Sequence, residues 1–347
     1  MVLNLGLLIF SFIVTSVLIV PFINLLYRLR FIRRVEGSKK KGAKQSVFDK
    51  LHDWKAGTPV GAGIFIVGVV SILFALIFPL ASYAGVFVSA AYRVADEINI
   101  IFFTFISFAL LGLYDDSVKL FGKKEPGKMG MWIGLRRKHK FALQWILAII
   151  ISAMIYNNLK IDIVHIPLLN VVVNLGPWYI PFAAFTIVAF VNAVNITDGL
   201  DGLVGGVLLI CLFAFWIIAS SVFDTPLSVF ISLWIGALIA FLYFNIWPAR
   251  IFLGDSGALS FGATLAVVGL LTGKILALVV IGGIFVLEAT SSLIQIFGWK
   301  VFNKPLFPMA PAHLWLQLRG WEEPKIVMRA WLAGLMLAIF GLWLAVI

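Results

Sequence analysis

Apolar residues in this chain collect into unbroken runs of about 17 to 25, the length that carries a helix across a hydrocarbon core roughly 30 Å thick. Ten such runs are marked, near 2–26, 59–81, 98–114, 141–157, 179–195, 203–222, 227–246, 257–272, 274–297 and 326–346. A membrane β-barrel would instead show short stretches alternating apolar and polar, and runs such as Leu143 to Ile151 do not alternate. Helices satisfy their own backbone groups inside lipid, so the expected fold class is an all-α polytopic membrane protein of about ten transmembrane helices. With 62% hydrophobic and 12% charged residues, the chain lies well outside the range of soluble domains.

Orientation follows from Lys and Arg, which accumulate on the cytoplasmic side. Ten lie between Arg28 and Lys55, eight between Lys119 and Lys140, one at Arg250 and five between Lys300 and Arg329; the alternate segments carry only Arg93, Lys160 and Lys274. Both termini are therefore expected on the outer side, in agreement with an even number of spans. The net charge of +11 borders membrane helices and accompanies no nucleic-acid motif, so it points to lipid headgroups and phosphate-bearing substrates, not nucleic acid.

Other features restrict the reading further. The single cysteine, Cys211, can form no internal disulfide. No charged segment precedes the first apolar run and a basic cluster follows it, so it reads as a retained span and not a cleaved signal. Without internal repeats or long linkers, residues 1–347 read as one transmembrane catalytic domain. The segment between the fourth and fifth runs, with Ile161–Ile166 and Val171–Val173, predicts a small outer β-hairpin turning at Leu169–Asn170.

Carboxylates are costly near lipid, so their positions carry information. Asp115 and Asp116 close the third run, Asp198 and Asp201 follow the fifth, and Asp255 precedes the eighth, all toward the basic side. One such residue would be an ordinary solvated helix end, but five from separate helices suggest a shared site. Adjacent carboxylates repel, which favours a cation among them, and Lys119 lies one turn beyond Asp115 and Asp116. Oxygen donors without a Cys or His cluster favour Mg²⁺ or Mn²⁺, typically held by one or two carboxylates plus substrate phosphates. The expected chemistry is phosphoryl transfer with Mg²⁺ as cofactor.

If the fifth helix continues, Asn192, Asn195, Asp198 and Asp201 fall on one slowly drifting stripe, expected to form a substrate-binding edge. Asn245 and the Phe252-Leu-Gly-Asp-Ser-Gly257 segment add an amide and an acid between glycines. Lys55 and Thr58, in Lys55-Ala-Gly-Thr-Pro59, offer a cation and a hydroxyl suited to a diphosphate. No Walker loop or dinucleotide fingerprint is present, so phosphates would be held by metal and cations.

Taken in order, Lys55–Pro59, Asp115-Asp-Ser-Val-Lys119, Asn192-Ala-Val-Asn-Ile-Thr-Asp-Gly-Leu-Asp-Gly202, Phe252–Gly257 and Met309-Ala-Pro-Ala-His313 resemble the phospho-N-acetylmuramoyl-pentapeptide transferases, within the polyprenyl-phosphate phospho-sugar transferase superfamily. The likeness covers nearly the whole chain. Phe285-Val-Leu-Glu288 through Gln295 and Leu318–Lys325 look like this branch and not the N-acetylhexosamine branch. The resemblance implies UDP-N-acetylmuramoyl-pentapeptide as donor, undecaprenyl phosphate as acceptor, lipid I and UMP as products, and a site on the cytoplasmic face of the bacterial inner membrane. It implies that Asp255 binds Mg²⁺, that Asp115 orients or deprotonates the lipid phosphate and that Asp116 supports the same site. It further implies nucleotide and active-site positions for Asn192, Asp198 and Asn245, and phosphate-facing cations at Lys55, Lys119 and Lys140. A homodimer is compatible with the sequence.

One departure stands out. The family usually has three consecutive histidines where this chain has His313-Leu314-Trp315, so whatever the motif does must rest on His313. His165, expected on the outer face, cannot replace the other two. A UDP-N-acetylhexosamine:polyprenyl-phosphate transferase is the nearest alternative, and a lipid or solute transporter is the alternative of another class.

Overall fold

The structure, a computed structural model, describes residues 2–33, 55–121, 137–169 and 171–347. Much of the two most basic loops, and Asn170 of the expected hairpin turn, lie outside the described residues. Twelve helices run in chain order among those described: α1 (Val2–Arg28), α2 (Ala62–Tyr83), α3 (Val94–Phe121), α4 (Arg137–Leu159), α5 (Tyr179–Thr197), α6 (Leu203–Ser221), α7 (Thr225–Asn245), α8 (Gly254–Leu271), α9 (Ile275–Ile281), α10 (Gly283–Phe302), α11 (Ala312–Leu318) and α12 (Glu323–Val346). Ten of them are long and apolar enough to cross a membrane. The chain is a multi-pass membrane protein.

Helix α8 is the centre of the bundle, with every residue from Ser256 to Leu271 buried. It packs against α2, α3 and α5, while α7 packs against α1, α2 and α6. An aromatic knot joins α3, α7 and α8: Phe105 lies 5.2 Å from Phe230 and 5.3 Å from Trp234, which lies 5.2 Å from Phe261. Around this core α1 and α12 expose Ile9, Ile13, Val17, Leu332 and Met336, apolar side chains that suit lipid tails.

Small residues allow the inner helices to meet backbone to backbone. A Cβ on Gly112 of α3 would overlap the Asp255 carbonyl of α8, and one on Gly63 of α2 would overlap the Gly257 amide. Two of the predicted runs differ from the helices found. The third does not end at residue 114 but continues to Phe121, so Asp115 and Asp116 lie inside α3. The ninth is interrupted at Gly282, where α9 ends and α10 begins; a Cβ there would sit 2.7 Å from the Phe190 ring.

The small hairpin is present as β1 (Ile163–Ile166) and β2 (Val171–Asn174), antiparallel, with Ile163 opposite Asn174 and Ile166 opposite Val171. It joins the end of α4 to the start of α5, at the opposite end of these helices from the acidic residues. His165 pairs with Val172 in this hairpin, which places it away from them.

Candidate active site

The C-terminal ends of α1, α3, α5 and α7 and the N-terminal ends of α2, α4, α8 and α12 gather at one end of the bundle. There they enclose a cavity of about 400 Å³ whose charged and amide lining is Arg33, Lys55, Asp116, Lys119, Asp198, Asp201, Asn245 and Asp255. The aspartates of three separate sequence segments thus meet, as expected.

Charge balance explains why α3 carries two acids without ending. Lys119 Nζ lies 2.9 Å from Asp115 Oδ2 and 2.6 Å from Asp255 Oδ2. Lys140, from α4, lies 3.0 Å from the same Asp115 oxygen and also pairs with Asp255. Asn195 Nδ2 donates to the other Asp255 oxygen at 3.0 Å. Two ammonium groups therefore bridge two carboxylates supplied by different helices, and each carboxylate is compensated where it stands.

Asp116 has a different task. Its Oδ1 accepts the backbone N–H of Asp255 and its Oδ2 accepts that of Ser256, both at 3.0 Å. These are orphan donors at the first turn of α8, where a negative charge is favoured by the helix dipole. Gly254, at φ +78°, sets the tight entry to that turn, and a Cβ on it would lie 2.8 Å from Asp116 Oδ2.

The turn between α5 and α6 forms the facing wall. α5 ends at Thr197, so Asp198 and Asp201 belong to the turn, and the expected four-residue helical stripe is broken there. Gly202, at φ +79°, is the N-cap of α6. The packed protein around it, followed by the Asp255 carboxylate, holds the Asp198 carboxyl above the usual range, but the side chain is exposed to the cavity, whose water weakens the shift; Arg33 and Lys55 act in the other direction. Asp201 is tied down: its Oδ1 takes the Lys55 ammonium at 2.6 Å and its Oδ2 the Ala249 N–H at 2.9 Å. Glu323 Oε1, at the start of α12, takes Lys55 Nζ and the Asp201 N–H, both at 2.5 Å. Asn245 accepts the Gly202 N–H at 3.1 Å and donates to the Ile251 carbonyl at 2.9 Å, fixing the turn against the α7–α8 connection.

Comparison with known proteins bears on this geometry. Residues 98–273, from α3 to just beyond α8, match glycosyl transferase family 4. A phospho-N-acetylmuramoyl-pentapeptide-transferase of Caldanaerobacter subterraneus subsp. tengcongensis is 39% identical over 292 residues, 84% of this chain and 85% of that protein. Proteins of the same name from Geobacillus sp. and Bacillus subtilis are each 33% identical, the first over 97% of this chain and 96% of its own, the second over 95% and 93%. The chain belongs to the phospho-N-acetylmuramoyl-pentapeptide-transferase family.

Within this transferase, the structure brings together Asp115, Asp116, Lys119, Lys140, Asn195 and Asp255 as one network, with Asp198, Asp201, Asn245 and Lys55 facing them. Three of the expected substrate-binding residues are held by the protein itself or set off the cavity. Asn192 is turned toward α4 and is not among the residues lining the cavity: its amide donates to Gln144 at 2.9 Å and to the Val188 carbonyl at 2.7 Å. Lys55, expected to offer its cation to a diphosphate, lines the cavity with a side chain only 1% exposed and held between Asp201 and Glu323. Thr58 does not line the cavity, whose neighbouring wall is Val60.

His313 lies one layer back. It is 2% exposed, and its Nε2 faces Gly199, where a Cβ would meet it at 2.5 Å. Gly199 itself lines the cavity. Three residues that sequence reasoning missed also serve this region of the transferase: Arg33, which lines the cavity with its guanidinium 5.7 Å from the centre of the Phe252 ring; Glu323; and Glu288, the partner of His313. Arg33 was hidden within a run of basic residues, and the two glutamates stood outside the aspartate motifs.

Proposed function

We propose that this transferase moves phospho-N-acetylmuramoyl-pentapeptide from UDP-N-acetylmuramoyl-pentapeptide to undecaprenyl phosphate, releasing UMP and leaving lipid I, at the cytoplasmic face of the bacterial plasma membrane. The observation that carries the reading is the Lys119–Lys140 bridge between Asp115 and Asp255, a compact balance of cations and carboxylates at the membrane edge. Relatives 33 to 39% identical over most of their own length are phospho-N-acetylmuramoyl-pentapeptide-transferases by name. The placement of the site is supported by the basic loops, since the segments joining helices at the cavity end carry the chain's excess of Lys and Arg.

The donor set fits Mg²⁺. The cavity lining contains oxygen donors and no Cys or His, and among the described residues no ready-made group of three His, Cys, Asp or Glu side chains encloses an ion. That suits a metal which takes one or two carboxylates and completes its shell with water and substrate phosphates. Asp255, with Asp115 beside it, would hold the ion. When bound, Mg²⁺ would neutralise charge on the donor diphosphate and on departing UMP.

The protein's own groups do the positioning. An oxygen of the acceptor phosphate bonds to the β-phosphorus of the donor as the bond from that phosphorus to the UMP oxygen breaks, so the electron pair leaves with UMP. Lys119 keeps 41% of its side chain open while holding two carboxylates, and is the ammonium an incoming phosphate meets. Asp115 aligns the two lysines, and Asp116 fixes the first turn of α8 that carries Asp255. Such alignment supplies most of the catalysis expected for phosphoryl transfer.

Replacement of two family histidines by Leu314 and Trp315 favours one alternative donor, a UDP-N-acetylhexosamine. Purified protein given undecaprenyl phosphate, Mg²⁺ and either donor, with mass spectrometry of the lipid product, tests both. Lipid I from the muramoyl donor is the expected result; a lipid-linked product from UDP-N-acetylglucosamine alone overturns it.

A further inference from the structure

Helix α10 is apolar and lightly packed, yet one face carries Glu288, Ser291 and Gln295 at spacings of three and four, the neighbours of a single helical stripe. All three grip the segment that leads to His313. Gln295 Oε1 accepts the N–H groups of Leu306 and Phe307 at 3.1 and 2.9 Å, and its Nε2 donates to the Phe307 carbonyl at 2.9 Å. Ser291 Oγ accepts the Ala312 N–H at 3.1 Å. Glu288 accepts the His313 N–H at 3.2 and 3.3 Å with its two oxygens, and its Oε2 lies 3.0 Å from His313 Nδ1.

The last contact bears on the state of the ring. Glu288 and His313 are both buried, and Nδ1 lies beside a carboxylate oxygen, the geometry in which that nitrogen donates its hydrogen. Nε2 is then the ring's remaining functional atom, and it is the atom that faces Gly199 in the cavity wall.

We propose that Glu288 is a positioning residue: with Nδ1–H donating to it, His313 is locked so that Nε2 alone is presented to the Asp198–Gly199 wall. Two stretches of sequence, Phe285–Gln295 and Met309–His313, are thereby one device, in which α10 sets the place and tautomer of the chain's single histidine in this segment. The inference deepens the proposed reaction and rests on His313 serving it.

The test uses the full-length enzyme in lipid nanodiscs. Glu288→Gln should lower kcat/KM for the UDP donor by about tenfold to a hundredfold, the scale for groups that orient a functional histidine. His313→Ala and the double variant should then be equally slow. Histidine-selective nitrogen NMR should show the His313 ring protonated at Nδ1 and bare at Nε2 at alkaline pH in wild type, and a changed tautomer in Glu288→Gln. An equal factor lost on adding Glu288→Gln to His313→Ala would make Glu288 merely structural and overturn the proposal. So would the opposite tautomer in the wild-type spectrum, a measurement that stands even if the variant does not fold. Wild-type kinetics in His313→Ala would overturn the participation of His313 in the reaction, while the spectrum still decides what Glu288 does to the ring.

Discussion

The Lys55 ammonium sits 2.6 Å from Asp201 Oδ1, and both side chains are almost wholly withdrawn from water. Glu323 closes the pair into a triad at 2.5 Å. Removing one partner of a buried ion pair leaves charge without compensation, which costs more than the pair itself contributes. Lys55→Met is therefore expected to destabilise the protein by about 3–5 kcal/mol, because two carboxylates then face each other. Scanning fluorimetry in detergent checks this: a transition temperature unchanged from wild type would return Lys55 to the role of a substrate-facing cation.

Gly112 governs how closely α3 approaches α8. An alanine methyl would press on the Asp255 carbonyl, and the helices could relieve this only by separating, carrying Asp115 and Asp116 away from Asp255. Gly112→Ala should reduce turnover by at least about tenfold, about 1.4 kcal/mol in the barrier. Gly68 on α2 has open space at its Cβ and provides the control: Gly68→Ala should leave turnover unchanged. Equal rates for both variants would show that the α3–α8 approach does not set the site.

Asp255 and Asp116 are expected to fail in different ways. Asp255→Asn should abolish turnover yet leave a folded protein, since an amide lacks the charge that Mg²⁺ needs. Asp116→Asn removes one of two acceptors from the first turn of α8, so it should lower stability by about 1–3 kcal/mol as well as turnover. Raising Mg²⁺ should rescue neither. Near-normal activity of Asp255→Asn at saturating Mg²⁺ would remove that residue from the metal site.

Much of this was legible in the sequence because lipid imposes simple rules. Ten apolar runs gave ten spans, and the acids stood out because charge near a membrane needs compensation. What was not legible depends on packing. The continuation of α3 past Asp115 is accompanied by Lys140 arriving from another helix, which no local pattern announces. The break at Gly282 lies within an apolar run, at a glycine whose added Cβ would meet the Phe190 ring. Asn192 kept the spacing of a site residue, but the direction of its side chain depends on Gln144 across the helix pair. Lys55 looked like a free cation because its partners Asp201 and Glu323 lie far away in sequence.

Asp198 predicts a dependence on pH. Its folded-state pKa is raised, so the fold opposes its ionisation, and stability falls as pH rises from the ordinary value of 3.8 toward about 7. Water in the cavity screens part of this effect. Asp198→Asn removes the ionisation, so relative to wild type it should gain in transition temperature at pH above that window and not below it, while losing turnover. A constant difference across pH would show that Asp198 ionises freely.

Gly199 and His313 make the most restrictive prediction, because one methyl group separates a working wall from a clash. A Cβ at position 199 would lie 2.5 Å from His313 Nε2, too short for any ordinary contact. The ring cannot simply turn away, since its Nδ1 is engaged by Glu288 and its backbone N–H by the same carboxylate. Nor does the glycine have a left-handed backbone that would penalise alanine by itself. The cost of Gly199→Ala must therefore arise from the histidine, and it should fall on the turn that carries Asp198 and Asp201. Turnover is expected to drop by about tenfold or more, with a smaller change in thermal stability, because the displaced groups line a cavity with room to adjust. Shrinking the opposing side chain tests the cause. In a His313→Ala background the methyl has space, so adding Gly199→Ala should bring little further loss. If the two losses multiply, the clash is not the reason, and Gly199 matters through its own contact with substrate.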